Sequence, residues 1–230
     1  TKGDSAYVNL FIESEAKLKL RSGEMKISQK TEYPWDGTVK ITVDDIKTPN
    51  SELSTLNSEL HIRVPGWCVG RPVPSDLYAH TVPGTLEDFT VKVNGAPVEV
   101  SPVKGYCRIR RGWKKGDTVE VVMNMPVRRV KAHDAVTQDR GRLAVERGPV
   151  VYCAEGFDNG GKVLDKAISP DAAFTPATCD ILGNVYPAFS VAASAAGDSK
   201  GGKCELKLIP YFAWCHRDPG NEMQTWFPTK

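Results

Sequence analysis

Glu155 and Asp158 stand three residues apart at the end of an apolar run. Paired carboxylates about 5–10 Å apart across a cleft are what glycoside hydrolysis needs. Acids at strand ends are usually solvated, however, so this spacing alone assigns no role. Glu13 and Glu15, which flank Ser14 between two strand patterns, stand the same way. Cys215-His216 has the residue types of a nucleophile and its base, but neighbours on an extended chain face opposite sides. His133-Asp134 falls in a polar stretch and reads as a solvated loop. Ser5, Ser22 and Ser28 have no GxSxG context. The glycines from Gly156 to Gly161 lack the strand-then-helix setting of a phosphate loop.

The six cysteines, Cys68, Cys107, Cys153, Cys179, Cys204 and Cys215, form no CxxC pair, and no HxxxH pair accompanies them. Zinc therefore has no sequence support. Their spacings match no small disulfide scaffold. Most fall in apolar strand patterns, where a free thiol acts as a small hydrophobe. No residue is expected to have a catalytic, cofactor-binding or metal-binding role. What remains is aromatic. Trp67 in Pro65-Gly66-Trp67, Trp113 in Arg111-Gly112-Trp113 and Trp214 in Pro210–Trp214 are candidates for sugar or interface contacts. A sandwich core also consumes large rings, which is the favoured reading of Trp67 and Trp113. Trp214 is the better surface candidate.

The elements that must position these residues have period two. Val39, Ile41 and Val43 alternate with polar neighbours, as do Leu60, Ile62 and Val64; Phe89, Val91 and Val93; Val119, Val121 and Met123; and Cys204, Leu206 and Leu208. This is the pattern of antiparallel strands with one buried face. Asn94-Gly95 between two such runs marks a type I′ hairpin. Pro34–Gly37 and Lys115–Asp117 mark two further reversals, and residues 156–170 and 194–203 read as loops. No stretch of ten or more residues has a helical period. The fold expected is all-β: two tandem antiparallel, jelly-roll-like β-sandwich domains, 1–132 and 133–230.

The 230 residues carry 30 basic and 28 acidic side chains, a net charge of +2. This gives no electrostatic reason to expect nucleic acid or an anionic membrane as partner, and no run of about 18 apolar residues is present. The opening Thr1-Lys2-Gly3-Asp4 has no initiator Met and no signal peptide. It reads as the start of a segment of a longer protein, with a processed mature terminus as the alternative. Compartment stays open between cytoplasm and periplasm or secretion.

Several segments in order carry a resemblance. They are Tyr7–Ile12 with Ser14, Thr31–Gly37, His61–Trp67, Val93-Asn94-Gly95, Arg110–Trp113, Gly116-Asp117, Met123–Arg128, Glu146–Cys153 and Ile209–Trp214. The series closely resembles the C-terminal portion of glycoside hydrolase family 127, the β-L-arabinofuranosidases, from about Ala6 to Trp226. The resemblance implies an N-terminal (α/α)6 barrel followed by two β-sandwiches. It implies that a zinc-bound cysteine nucleophile, the other zinc ligands and an acid/base glutamate all belong to the barrel. None of these maps onto a residue here. The expected role is that of an accessory region: its partner is the barrel of the same chain, and it meets arabinose-containing glycans through the whole enzyme. The alternatives are a carbohydrate-binding module, or a structural domain that pairs as a homodimer.

Overall fold

The computed structural model describes residues 1–49, 54–195, 203–217 and 220–229. Among these the regular structure is β-strand with a few short 3-10 turns. The chain divides into two compact units: Thr1–Val69 with Gly84–Met125, and Gly70–Pro83 with Pro126–Lys230.

The first unit is a β-sandwich. One sheet has three strands, ordered Ser5–Val8, Leu56–Arg63, Tyr106–Trp113. The other has six, ordered Ser14–Leu20, Gly23–Thr31, Thr38–Lys47, Thr118–Met123, Phe89–Val93, Ala96–Val98. The period-two residues face each other between the sheets. Val39, Ile41, Val121 and Phe89 from one layer and Leu60, Ile62 and Trp113 from the other are all at most 2% exposed and share one core. Each such side chain contributes roughly 1.5–3 kcal/mol of burial. One pairing departs from the antiparallel expectation: Ser5–Val8 runs parallel to Leu56–Arg63, with Tyr7 opposite His61.

The expected reversals occur. Asn94 (φ 51°) and Gly95 (φ 80°) make the turn between Phe89–Val93 and Ala96–Val98. Gly37 closes the turn between Gly23–Thr31 and Thr38–Lys47, and its backbone lies against Met123. A Cβ there would sit 1.9 Å from the Met123 carbonyl oxygen, and the Met123 N–H donates to the Gly37 carbonyl at 3.0 Å. Close approach, rather than backbone angle, requires glycine at this position.

The second unit is built on a ten-stranded sheet. Its main path runs Lys166–Ile168, Asn184–Ala195, Lys203–Pro210, Val150–Glu155, Arg142–Arg147, Val127–Ala132, Tyr78–His80. Phe174–Ile181 also pairs with Asn184–Ala195, all antiparallel. Four successive residues, Leu143 to Glu146, are buried, so both faces of that strand are covered. Tyr152, Cys153, Ala154, Leu208, Ile209 and Phe227 are fully enclosed. Buried Glu146 meets His80 Nε2 across the sheet.

The division differs from the 1–132 and 133–230 reading. Val127–Ala132 pairs with Arg142–Arg147 and with Tyr78–His80, which places it in the second unit. Ladder partners decide a strand's membership, and one of the two, Tyr78–His80, is distant in sequence. The excursion Gly70–Pro83 carries only a three-residue strand, too short to show a period. Within the loop expected at 156–170, Lys166–Ile168 is a short edge strand. Within that expected at 194–203, Ser194 and Ala195 end a strand and Lys203 begins one, while residues 196–202 lie outside the described residues.

Candidate surface for sugar and partner contacts

The three tryptophans take three different positions. Trp113 is fully buried in the core of the first unit, with the Arg111 guanidinium 5.2 Å from its ring. It has no face for a sugar, and its contact role is replaced by core packing. Its place at the end of Tyr106–Trp113 turns it inward with Ile109 and Cys107. Trp67 is half-buried against the same core, next to Cys68, whose thiol donates to the Asp88 carbonyl at 3.3 Å. Burial raises the pKa of neighbouring Tyr33, with a hydrogen bond to Trp67 opposing the shift. Trp214 belongs to the second unit and is half-buried against Cys153, Cys179, Ile209 and Ala213.

Around Trp214 the chain builds an aromatic rim. The strand Lys203–Pro210 ends in a 3-10 turn, Tyr211–Ala213, begun by Pro210. Ala213 packs inward while Tyr211 and Phe212 stay exposed. The Tyr211 and Trp214 rings are 18° from parallel with centroids 6.4 Å apart. Phe212 meets Tyr186 edge-on at 5.5 Å. Exposed Phe157 is covered on one face by the Arg217 guanidinium, 4.3 Å from its centroid.

Beneath the rim lies an ionic cluster. Arg217 donates from Nη2 to Glu155 Oε2 at 2.7 Å and from Nη1 to Asp158 Oδ1 at 3.1 Å, and Nη2 also meets Asp158 Oδ2. Lys207 Nζ is 3.6 Å from Asp158. The Cys215 backbone N–H donates to Glu155 Oε1 at 3.0 Å. Asn159 bridges two strands, donating to the carbonyls of Glu155 and Lys207 and accepting from the Lys207 N–H. Two carboxylates and two cations thus neutralise one another. The carboxylates raise the Arg217 pKa against the opposing effect of burial, so the guanidinium stays charged. Glu155, the one member with no exposed surface, has both oxygens engaged as acceptors.

This arrangement decides what the cluster can do. Glu155 and Asp158 converge, as a glycosidase pair would, but on a guanidinium rather than across a cleft. Cys215 is not on an extended chain, as the sequence suggested, but at φ 66°. Its backbone rather than its thiol meets the acid. Arg217 was invisible in the sequence reading because it lies 59 residues from Asp158 and carries no local signal. Glu15 pairs with Lys26 at 2.7 Å on the surface.

Among the described residues no group of three or more His, Cys, Asp or Glu is placed to hold a metal ion. Ligation needs thiolate, and burial raises the pKa of Cys107, Cys153 and Cys179, that of Cys153 to about 12.

Comparison with known proteins places this geometry. Residues 5–125 match the model of the β-L-arabinofuranosidase GH127 middle domain, and residues 127–228 that of the glycoside hydrolase family 127 C-terminal domain. Over 95% of its length the chain is 29% identical to the non-reducing end β-L-arabinofuranosidase of Bifidobacterium longum subsp. longum, covering 32% of that protein. Among solved structures, a GH127 β-arabinofuranosidase is 36% identical with a TM-score of 0.88; all of this chain and 36% of that one are matched. A GH127 β-L-arabinofuranosidase from Geobacillus stearothermophilus T6 is 31% identical with a TM-score of 0.83, again over the whole chain and 34% of the relative. The chain thus spans about a third of each relative's length. With both domain models matched on either side of Pro126, the chain belongs to glycoside hydrolase family 127 and comprises that family's middle and C-terminal domains.

Proposed function

We propose that these two domains are the non-catalytic β-sandwich region of a β-L-arabinofuranosidase-type hydrolase, and that they support a separate catalytic barrel which carries the chemistry and any zinc. The observation behind this reading is the fate of the converging acids: Glu155 and Asp158 are both bound by Arg217. The matched relatives' names supply the sugar class. Exposed apolar side chains such as Leu10, Ile12, Leu182 and Phe212 offer surface that a neighbouring domain would cover.

The test is complementation in trans. The 230-residue chain is co-expressed with the N-terminal region of the Geobacillus relative, tagged on that region alone. Stoichiometric co-purification and a gain in soluble barrel are expected. A barrel equally soluble and equally active without the chain overturns the supporting role.

A second reading, direct glycan contact, is favoured by the near-parallel Tyr211 and Trp214 rings, since exposed aromatic faces stack on sugars. Calorimetry with arabinose-containing polysaccharide tests it. A binding heat lost in Tyr211→Ala supports it, and no heat from the native chain rejects it.

A further inference from the structure

The three-stranded sheet of the first unit ends in an open edge. Its strand Tyr106–Trp113 pairs with Leu56–Arg63 on one side and with no described strand on the other. Backbone groups of an antiparallel strand point alternately to its two sides. The Val64 N–H donates to the Gly105 carbonyl at 2.8 Å, and the ladder keeps one register from there to Trp113. Cys107, Ile109 and Arg111 therefore bond to Leu56–Arg63, while Arg108, Arg110 and Gly112 turn their N–H and C=O groups to the free side. Tyr106, of the same set, shows the direction: it exchanges both bonds with Val103, at 2.9 and 3.2 Å, in the turn before the strand. No described residue takes the corresponding groups of Arg108, Arg110 or Gly112.

Side chains alternate between the two sheet faces. Ile109 is buried in the core, and Arg111 lies on the same face, 3.6 Å from Asp117. Arg108 and Arg110 stand on the outer face, exposed, and neither has an ion pair among the described residues. Glu59, across the ladder from Arg110, is already bonded to His61 at 3.0 Å. Beside the edge runs a recess of about 530 Å³, bounded by residues 108–112 and, from the six-stranded sheet, by Val93 and Val98. Val98 packs on the core yet is only half-buried. The smaller layer of the sandwich thus stops short of covering the larger one.

These features define the occupant. A strand added here bonds through its main chain to Arg108, Arg110 and Gly112. Its side chains opposite Arg108 and Arg110 lie beside two guanidinium groups, which calls for carboxylates. The side chains between them turn into the recess against Val93 and Val98, which calls for apolar groups. A second copy of this chain does not fit, because pairing this edge with itself about a two-fold axis sets arginine against arginine. We propose that the edge takes up, as a fourth strand, an extended segment of the catalytic region in which acidic and apolar side chains alternate. The source of the segment rests on the proposed function. Two relatives are matched over 36% and 34% of their length, so about two-thirds of each lies outside the match. A domain joined ahead of the matched middle domain would enter this same sheet at Ser5–Val8. That is roughly 14 Å from the added strand, three spacings of about 4.8 Å, so the tether makes capture local.

Co-expression of the 230-residue chain with the tagged N-terminal region of the Geobacillus relative tests the docking, read by co-purification and by amide hydrogen exchange. In the complex, the amides of Arg108, Arg110 and Gly112 are expected to exchange at least tenfold more slowly than in the chain alone. Arg110→Pro removes an edge N–H without touching the ladder to Leu56–Arg63. The double change Arg108→Glu with Arg110→Glu reverses the charge. Both variants, verified as folded by circular dichroism, are expected to lower the recovered chain at least fivefold. Undiminished recovery of both, or edge amides left unprotected in the complex, overturns the proposal and leaves the supporting role standing. Failure of the native chain to form the complex overturns both. Edge protection that rises with concentration in the chain alone assigns the edge to a second copy and overturns the proposal as well.

Discussion

Arg217 donates to Glu155 across 62 positions of sequence at 2.7 Å, and Glu155 has no exposed surface at all. The pair ties the segment after the Tyr211–Ala213 turn to the end of Val150–Glu155. It therefore sets where the aromatic rim lies. A buried ion pair is weak evidence for net stability, but removing one partner strands the other charge at a cost of about 3–5 kcal/mol. Arg217→Met is expected to lose stability of that order in urea unfolding. The double change Arg217→Met with Glu155→Gln should recover part of it. Equal stability of Arg217→Met and the native chain would contradict the pairing.

Gly37 is expected to tolerate no side chain. Alanine would put a methyl group 1.9 Å from the Met123 carbonyl oxygen, and this backbone position cannot yield without opening the ladder. Gly37→Ala should destabilise by about 1–3 kcal/mol, the usual penalty of overpacking. Gly95→Ala meets nothing within 4 Å but sits at φ 80°. It should therefore lose stability only through backbone strain. Thermal unfolding of the two variants separates clash from strain.

The tryptophans should rank by burial. Trp113→Ala empties a fully enclosed site and is expected to cost about 3–5 kcal/mol. Trp214→Ala, half-buried against the Cys153 cluster, should cost less than half of that. Chemical denaturation of both variants checks the order. The reverse order would place Trp214, not Trp113, in a core.

Alkaline pH should destabilise the second unit. Burial raises the Cys153 pKa from 9.0 to about 12, helped by the charges of Glu155 and Asp158, and burial raises Tyr152 from 10.0 to about 12. Both folded values lie above the unfolded ones. Their stabilising effect is therefore complete below about pH 9 and is lost as pH rises towards 12, because the unfolded chain gives up its protons first. The loss is up to about 1.4 kcal/mol per pH unit for each group. Urea midpoints between pH 8 and 11 should fall less steeply in Cys153→Ala than in the native chain. At pH 8, exposed Cys215 should react with a maleimide first and half-buried Cys204 more slowly. The four buried thiols should stay protected until unfolding.

Much of this architecture is legible in sequence because it is local. Val39–Val43, Phe89–Val93 and Val119–Met123 alternate strictly, and each run became a strand with its apolar face inward. Asn94-Gly95 names its own turn. What was hidden is non-local. The parallel pairing of Ser5–Val8 with Leu56–Arg63 depends on a partner about fifty residues away, and Tyr78–His80 joins a sheet whose other strands begin at Val127. A tryptophan near a strand end reads the same whether it turns fully inward, as Trp113 does, or lies at half depth, as Trp67 does. The Glu155–Asp158 spacing suggested a reactive pair, and only the fold brought Arg217 to it.

The proposed supporting role requires that these two domains carry no hydrolytic chemistry of their own. Its most direct measurement is the hydrolysis of an aryl β-L-arabinofuranoside by the purified 230-residue chain. No turnover above the buffer rate is expected, with zinc added or withheld. Sustained turnover that Glu155→Gln or Asp158→Asn abolishes in a folded protein would contradict the claim and make Arg217 part of an active site.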